Sequence, residues 1–393
     1  DSITFQEMFL PYRSYPRAAA SLIVVPGQDP TVRSRYLNYW VSHIGAVVTA
    51  GTNFLRIPEM TSSSSSNASI LRVQDLQTYF PIRQGLLGRT VGFVRAVDGV
   101  SFVLNAGETL GLVGESGCGK STLARSLLYL HPPTGGRVWL KDTELGVLSS
   151  TELRKQRLQM QLIFQNPHAS LNPRLTIEEI ISSAARYHGR IHTSETQDFA
   201  TKLLEQVGLR SEHLKRFPHE FSGGQRQRIS IARALALHPE IVLCDEAVSS
   251  LDVSIQAQIL NLLLELQQQQ GLSYMFISHD LAVIQHLADR VAVMYLGRIV
   301  EIANRKELFQ TPAHPYTQAL LRAIPSGDPK TRRPLGERVL AGDVPSPTKQ
   351  HTGCVFAERC PQVTSECRQQ RPEFRQIRTG QLVACHHARM DSA

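Results

Sequence analysis

No stretch of this 393-residue chain runs to eighteen consecutive apolar residues. A membrane-spanning helix needs about twenty, and the longest apolar candidates, near residues 18–25 and 44–50, fall short of that. Any attachment to a membrane must therefore come through partners. A basic segment leading into an apolar core is also missing, so no secretory leader is read. No internal repeat is visible, and no recognised nucleic-acid motif occurs. The net charge of +8 comes from basic residues scattered through the chain, which speaks against a nucleic-acid partner. Closely paired C-x-x-C knuckles are absent. What remains, 42% apolar and 19% charged residues, is ordinary for a globular protein with a large core and two or so domains.

Against this background one octapeptide stands out. Gly114, Glu115, Ser116, Gly117, Cys118, Gly119, Lys120 and Ser121 match the phosphate-binding pattern G-x4-G-K-S/T. In that pattern the glycines let backbone N–H groups turn inward around phosphates, and the lysine neutralises the outer ones. Residues 109–113, Thr-Leu-Gly-Leu-Val, have the character of a buried strand, and residues 121–130 carry apolar side chains at helical spacing. The loop thus joins strand to helix, where a helix N-terminus adds partial positive charge. Thr122 continues the loop, and the Ser121 hydroxyl is placed to ligate a magnesium ion bridging the phosphates.

A second apolar run, residues 241–244, ends in Asp245 and Glu246, at the C-terminal end of a strand where ligands collect in open parallel sheets. By the logic of phosphoryl transfer Asp245 serves the magnesium ion, and Glu246 polarises the water that attacks the terminal phosphate. Residues 274–278 read as a further strand leading to His279. Gln165 follows the apolar Leu162-Ile163-Phe164. Ser222, Gly223, Gly224 and Gln225 follow Phe221 and precede the acidic strand, and Ser249-Ser250-Leu251-Asp252 comes directly after it.

In this order the motifs are similar to those of the ATP-binding cassette (ABC) family. The resemblance covers about residues 70–390 and implies an α/β, P-loop NTPase cassette: a RecA-like core with an antiparallel β subdomain and a helical subdomain at about 166–235. It implies that His279 contacts the terminal phosphate and that Gln165 senses magnesium and the attacking water while linking the site to a transmembrane partner. It further implies that the signature Ser222, Gly223 and Gly224 bind the terminal phosphate of ATP held by another cassette, with Gln225 and the D-loop Asp252 also among the nucleotide-binding residues. Ala247 stands where proline is commoner and Asn166 where aspartate is commoner; neither removes a charge-handling group. For the adenine ring the family uses an aromatic residue upstream of the phosphate loop. Phe93 is the first candidate, Tyr79 the second.

Residues 80–89 and 95–102, with His314-Pro315-Tyr316 and the tail from Gly353, look like the oligopeptide/dipeptide importer ATPases, and the Gly-Leu-Leu-Gly-Arg insertion is similar to the F-type subunit. The expected division is an N-terminal extension (1–59), a Ser-rich linker (60–69), the ABC ATPase domain (70–310) and a C-terminal extension (311–393). Residues 1–59 show no sustained periodicity and read as dispensable, with Met60 a natural start. The implied function is ATP hydrolysis that energises peptide import. The implied cofactors are ATP and Mg2+, and the implied partners are a second, D-type cassette, two permease subunits and, indirectly, a solute-binding protein. The implied place is the cytoplasmic face of the bacterial inner membrane. Sequence does not separate dipeptides from longer peptides, glutathione or nickel chelates as cargo, and a non-transport cassette ATPase is the alternative reading.

The tail contains Cys354, Cys360, Cys367 and Cys385, spaced C-x5-C-x6-C-x17-C. Disulfides are disfavoured without a secretory signal. A structural zinc site and no metal at all both stay open on the residues alone. The family resemblance implies a four-iron, four-sulfur (4Fe-4S) cluster on the four thiolates, which would staple a tail poor in apolar core.

Overall fold

The structure, a computed structural model, describes residues 68–85, 89–323 and 345–388. The expected N-terminal extension and most of the Ser-rich linker lie outside the described residues.

Two sheets organise the described residues. The first is antiparallel. Strands β1 (Ser69–Gln84) and β2 (Arg89–Asn105) form a long hairpin, and β4 (Gly135–Leu140) and β5 (Thr143–Glu144) complete the order β2-β1-β4-β5. Along the first half of β1 buried residues such as Leu71, Val73 and Leu76 are interspersed with exposed ones, the pattern of a sheet with one face on the core and one in water.

The second sheet has eight strands. In chain order these are β3 (Thr109–Val113), β6 (Met160–Ile163), β7 (Ile241–Asp245), β8 (Ser273–Ile277), β9 (Arg290–Tyr295), β10 (Arg298–Asn304), β11 (Arg375–Arg378) and β12 (Gln381–Val383). Their spatial order is β11-β12-β10-β9-β3-β8-β7-β6. The five strands β6, β7, β8, β3 and β9 run parallel. Every residue of β3, β7 and β8 is buried, as expected of strands covered on both faces. This explains why their sequences read as unbroken apolar runs.

Helix α1 (Lys120–Leu127) follows β3, and α2 (Ser150–Gln156) precedes β6. Between β6 and β7 the chain is helical: α3 (Pro167–Ser170), α4 (Ile177–Tyr187), α5 (Thr196–Gln206) and α6 (Gly223–Leu235) pack on one another. Two of them start on capping boxes. Thr176 and Glu179 cap α4, and Ser222 and Gln225 cap α6, each satisfying orphan N–H groups of a first turn. Helices α7 (Val253–Gln270), α8 (Leu281–Leu287), α9 (Arg305–Gln310), α10 (Pro315–Arg322) and α11 (Ser365–Gln369) follow.

Residues of the expected C-terminal extension build onto the central sheet. β12 pairs with β10 through Glu301 opposite Val383 and Ile302 opposite Leu382, and β11 pairs with β12. The fully buried Glu301 carboxylate ties this region together. It accepts from the backbone N–H of Ala313 and His314, both at 2.9 Å, and from Gln381 Nε2 at 2.8 Å. A buried carboxylate is tolerated only when its lone pairs are so occupied.

Candidate functional site: a nucleotide cleft

The loop between β3 and α1 can only be made with glycine at its tightest points. Gly119 has φ +106°, and a Cβ there would sit 1.9 Å from the Ala96 carbonyl oxygen. Gly114, at φ +158°, would bring a Cβ within 2.2 Å of the Met294 carbonyl oxygen. The loop is thus pressed between β2 and the end of β9. Gly297 N–H donates to the Cys118 carbonyl at 2.8 Å and fixes it from the following turn.

Lys120 is buried and folds back over the loop, where its ammonium donates to the carbonyls of Gly114 at 2.7 Å and Glu115 at 3.0 Å. Ser121 Oγ donates to Asp245 Oδ1 at 2.7 Å. Ser121 and Asp245, expected to serve magnesium from 124 positions apart, are therefore in contact. Burial pushes the Asp245 carboxyl above its ordinary range, the Ser121 hydrogen bond and the charges of Arg125 and Lys120 oppose this, and Glu246 adds to it.

Glu246, one residue beyond β7, has φ +48°, a left-handed backbone that costs a side-chain-bearing residue about 1–2 kcal/mol. That bend takes its side chain off the strand register. Gln165 Nε2 donates to Glu246 Oε2 at 2.7 Å, and His279 Nδ1 lies 3.4 Å from the same oxygen. Three loops, after β6, β7 and β8, thus converge on one carboxylate oxygen.

Gly119, Lys120, Ser121, Gln165, Glu246 and His279 line a cleft of about 580 Å³ together with Ser116, Gly117, Thr122, Phe80, Val94, Ala96 and Pro347, while Asp245 lies outside the lining, behind Ser121; the size suits a small-molecule ligand. Phe93 is not among the lining residues. It is 45% exposed and pairs with Pro81 across the hairpin, whereas Phe80 pairs with Val94. Successive strand residues face opposite ways, so the aromatic that reaches the cleft is Phe80, one position along from the Pro81 that faces Phe93. Tyr79 points elsewhere and donates to Asp98 Oδ1 at 2.6 Å. Pro347, from the far end of the chain, carried no sequence signal.

Ser222, Gly223, Gly224, Gln225 and Asp252 do not line this cleft. Ser222 caps α6 and Asp252 precedes α7, and both are exposed. A Cβ on Gly224 would meet Ile255 at 2.5 Å, so the start of α6 packs closely on α7.

The expected metal centre in the tail finds no gathered ligand set. Among the described residues no group of three or more His, Cys, Asp or Glu is placed to hold a metal ion. Cys367 Sγ instead contacts Thr364 Oγ1 at 3.3 Å and His387 Nε2 at 3.4 Å. Burial pushes the Cys354 thiol up to about 11, and the neighbouring Cys385, Cys367 and Cys360 add to the rise.

Fold and cleft together define a nucleotide-hydrolysing cassette ATPase. A family model described as "ABC transporter" matches residues 97–249, and one described as "Oligopeptide/dipeptide transporter, C-terminal region" matches residues 300–367. The chain is 49% identical to the "Oligopeptide transport ATP-binding protein AppF" of Bacillus subtilis, over 82% of this chain and 99% of that one. It is 46% identical to the "Dipeptide transport ATP-binding protein DppF" of Haemophilus influenzae, over 84% and 99%. Among solved structures it resembles a dimeric, post-hydrolysis state of the ATP-binding cassette MJ0796 bound to ADP and Pi, with a TM-score of 0.53 and 26% identity, covering 60% of this chain and 98% of that one. The chain belongs to the ABC transporter ATP-binding proteins, within their oligopeptide/dipeptide group. It is an ATPase that uses ATP and Mg2+, in a family whose cassettes work as dimers with transmembrane permeases. Among the described residues no helix is long and apolar enough to cross a membrane.

Proposed function

We propose that this chain is one of two cassettes that power the import of dipeptides or oligopeptides, at the cytoplasmic face of a bacterial cytoplasmic membrane. The partner cassette is a D-type paralogue, and a solute-binding protein delivers the peptide to two permease subunits. One observation carries the reading. Lys120, Ser121, Gln165, Glu246 and His279 share a cleft that Ser222–Gln225 do not line, so a signature serine and its glycines are free to act on the nucleotide of a second cassette.

Within the cleft, backbone N–H groups of the loop and Lys120 hold the outer phosphates of ATP. Ser121 and Asp245 offer hard oxygen atoms in mutual contact, which fits a magnesium ion that keeps several waters and takes only one or two protein ligands. When bound, the ion supplies charge to the phosphate oxygens. Glu246 orients and polarises the attacking water, while Gln165 and His279 hold its carboxylate in place. Gln165 also marks where the site meets the permeases. Hydrolysis lowers the affinity of the two cassettes for each other, and that difference drives the permeases.

The 4Fe-4S centre on Cys354, Cys360, Cys367 and Cys385 belongs to this proposal as a staple of the tail, outside the catalytic steps. Its support is the family resemblance carried by the C-x5-C-x6-C-x17-C spacing; among the described residues the thiols are not gathered as a ligand set. Anaerobic full-length protein is then brown and carries iron, and a colourless preparation without iron removes the centre from the account.

The test of function is transport. Vesicles containing the assembled complex are expected to accumulate labelled di- and oligopeptides only with ATP inside the cassette compartment, and Lys120→Ala in this chain to stop accumulation. ATP-independent uptake, or uptake of glutathione or nickel chelates in place of peptides, would overturn the peptide reading.

A further inference from the structure

The phosphate loop is held from an unexpected direction. Glu115, its second residue, does not line the nucleotide cleft. Its carboxylate instead takes two parallel hydrogen bonds from Arg359 in the C-terminal tail, Nη1 to Oε2 at 2.7 Å and Nη2 to Oε1 at 3.1 Å. The backbone N–H of the same Glu115 donates to the Tyr316 hydroxyl on α10 at 2.9 Å. Both anchors come from beyond residue 310, and both are set in one aromatic cluster. The Tyr295 and Tyr316 ring centroids are 4.6 Å apart, Phe356 packs on each, and Arg359 also donates to the Tyr295 hydroxyl at 3.4 Å. The Arg359 side chain is 6% exposed. A paired fork of this kind fixes geometry as well as charge.

The same tail reaches the cleft itself. The Pro347 carbonyl accepts from Arg95 N–H at 3.1 Å, which lays Pro347 along β2 and against the nucleotide site. From the tether we propose that Arg359, with Tyr316, is a positioning residue for ATP binding: it holds Glu115 and the first turn of the phosphate loop in the curvature that presents the remaining N–H groups and Lys120 to the phosphates. The C-terminal extension is then part of the nucleotide site. Lys120 reports the connection, because its ammonium bonds the Glu115 carbonyl at 3.0 Å. A Glu115 released from Arg359 also leaves an unpaired carboxylate in a loop built to hold phosphate, and like charges there oppose binding.

This inference rests on the ATPase reading, and the test separates the two. ATP affinity of the purified full-length chain, and KM and kcat of the assembled complex, are measured for the wild type, Arg359→Met and Tyr316→Phe. Arg359→Met is expected to weaken ATP binding about tenfold and to raise KM by the same factor, with kcat at saturating ATP within about twofold of wild type. Tyr316→Phe, which removes one hydrogen bond and keeps the aromatic packing, is expected to weaken ATP about threefold to tenfold. A merely structural role would lower the unfolding temperature and leave ATP affinity where it was. If Arg359→Met does not fold, Tyr316→Phe decides alone. Unchanged ATP affinity in a folded variant of either kind overturns the tether, whereas a wild-type chain that binds no ATP overturns the ATPase reading itself.

Discussion

Gly119→Ala is the sharpest perturbation of the phosphate loop, because two separable costs meet at one atom. The backbone there has φ +106° and ψ 4°, outside the regions open to alanine, at a cost of about 1–3 kcal/mol. The added Cβ would also lie 1.9 Å from the Ala96 carbonyl oxygen. A carbon–oxygen contact settles at about 3.3 Å, so the loop and β2 must part by more than about 1 Å. Overpacking adds about 1–3 kcal/mol, and the sum is about 2–6 kcal/mol. A displacement of about 1 Å in a positioning element costs about a hundredfold in activity. Gly117 in the same loop is the control. Its φ is +77°, but a Cβ there meets nothing within 4 Å, so Gly117→Ala carries only the backbone cost of about 1–2 kcal/mol. Urea unfolding of both variants reads the stability difference, and titration calorimetry with ATP reads the loss of binding by Gly119→Ala. Equal stability losses at the two positions would refute the reasoning.

Two further outcomes follow from the geometry. Phe80→Ala should weaken ATP about tenfold, since stacking on a base is worth about 1–3 kcal/mol, whereas Phe93→Ala should leave affinity unchanged; the reverse result in the same binding assay would return the base-stacking role to Phe93. His314 is wholly buried, and that burial lowers its pKa from 6.5 to about 3. Below pH 6.5 the unfolded chain takes up a proton that the folded chain refuses, so stability present above pH 6.5 is lost as pH falls towards 3. Between pH 7.5 and 5.5 the loss is about 1.4 kcal/mol. It should disappear from denaturant midpoints in His314→Asn, whose side chain can still accept the Tyr316 N–H that His314 Nδ1 accepts at 3.0 Å.

What was legible in the sequence was whatever repeats a local physical constraint. The buried parallel strands β3, β7 and β8 announce themselves as short apolar runs, and the phosphate loop as glycines around a lysine. The meeting of Gln165, Glu246 and His279 was legible through the family resemblance, each sitting just past an apolar strand. Which aromatic lines the cleft was not legible, because β1 and β2 carry several aromatic residues within a few positions, and strand parity with bulges decides that Phe80 lines it and Phe93 does not. Register shifts interrupt the hairpin near Thr78 and Tyr79. The tail was less legible still. Arg359 and Glu115 are 244 positions apart, and nothing local to either marks the pair. The four cysteines suggested a ligand set by their proximity in sequence, yet spacing does not specify whether thiols converge, and here Cys367 meets Thr364 and His387.

The central claim is that Glu246 activates the water that cleaves ATP in a cassette dimer. The direct measurement is ATP turnover by the assembled complex in vesicles carrying Glu246→Gln in this chain, read together with the nucleotide retained and the association state of the two cassettes. The account predicts that turnover at this site is lost while ATP, uncleaved, stays bound and the cassettes remain closed on each other. Turnover at the wild-type rate, with ADP as the retained nucleotide, would contradict it.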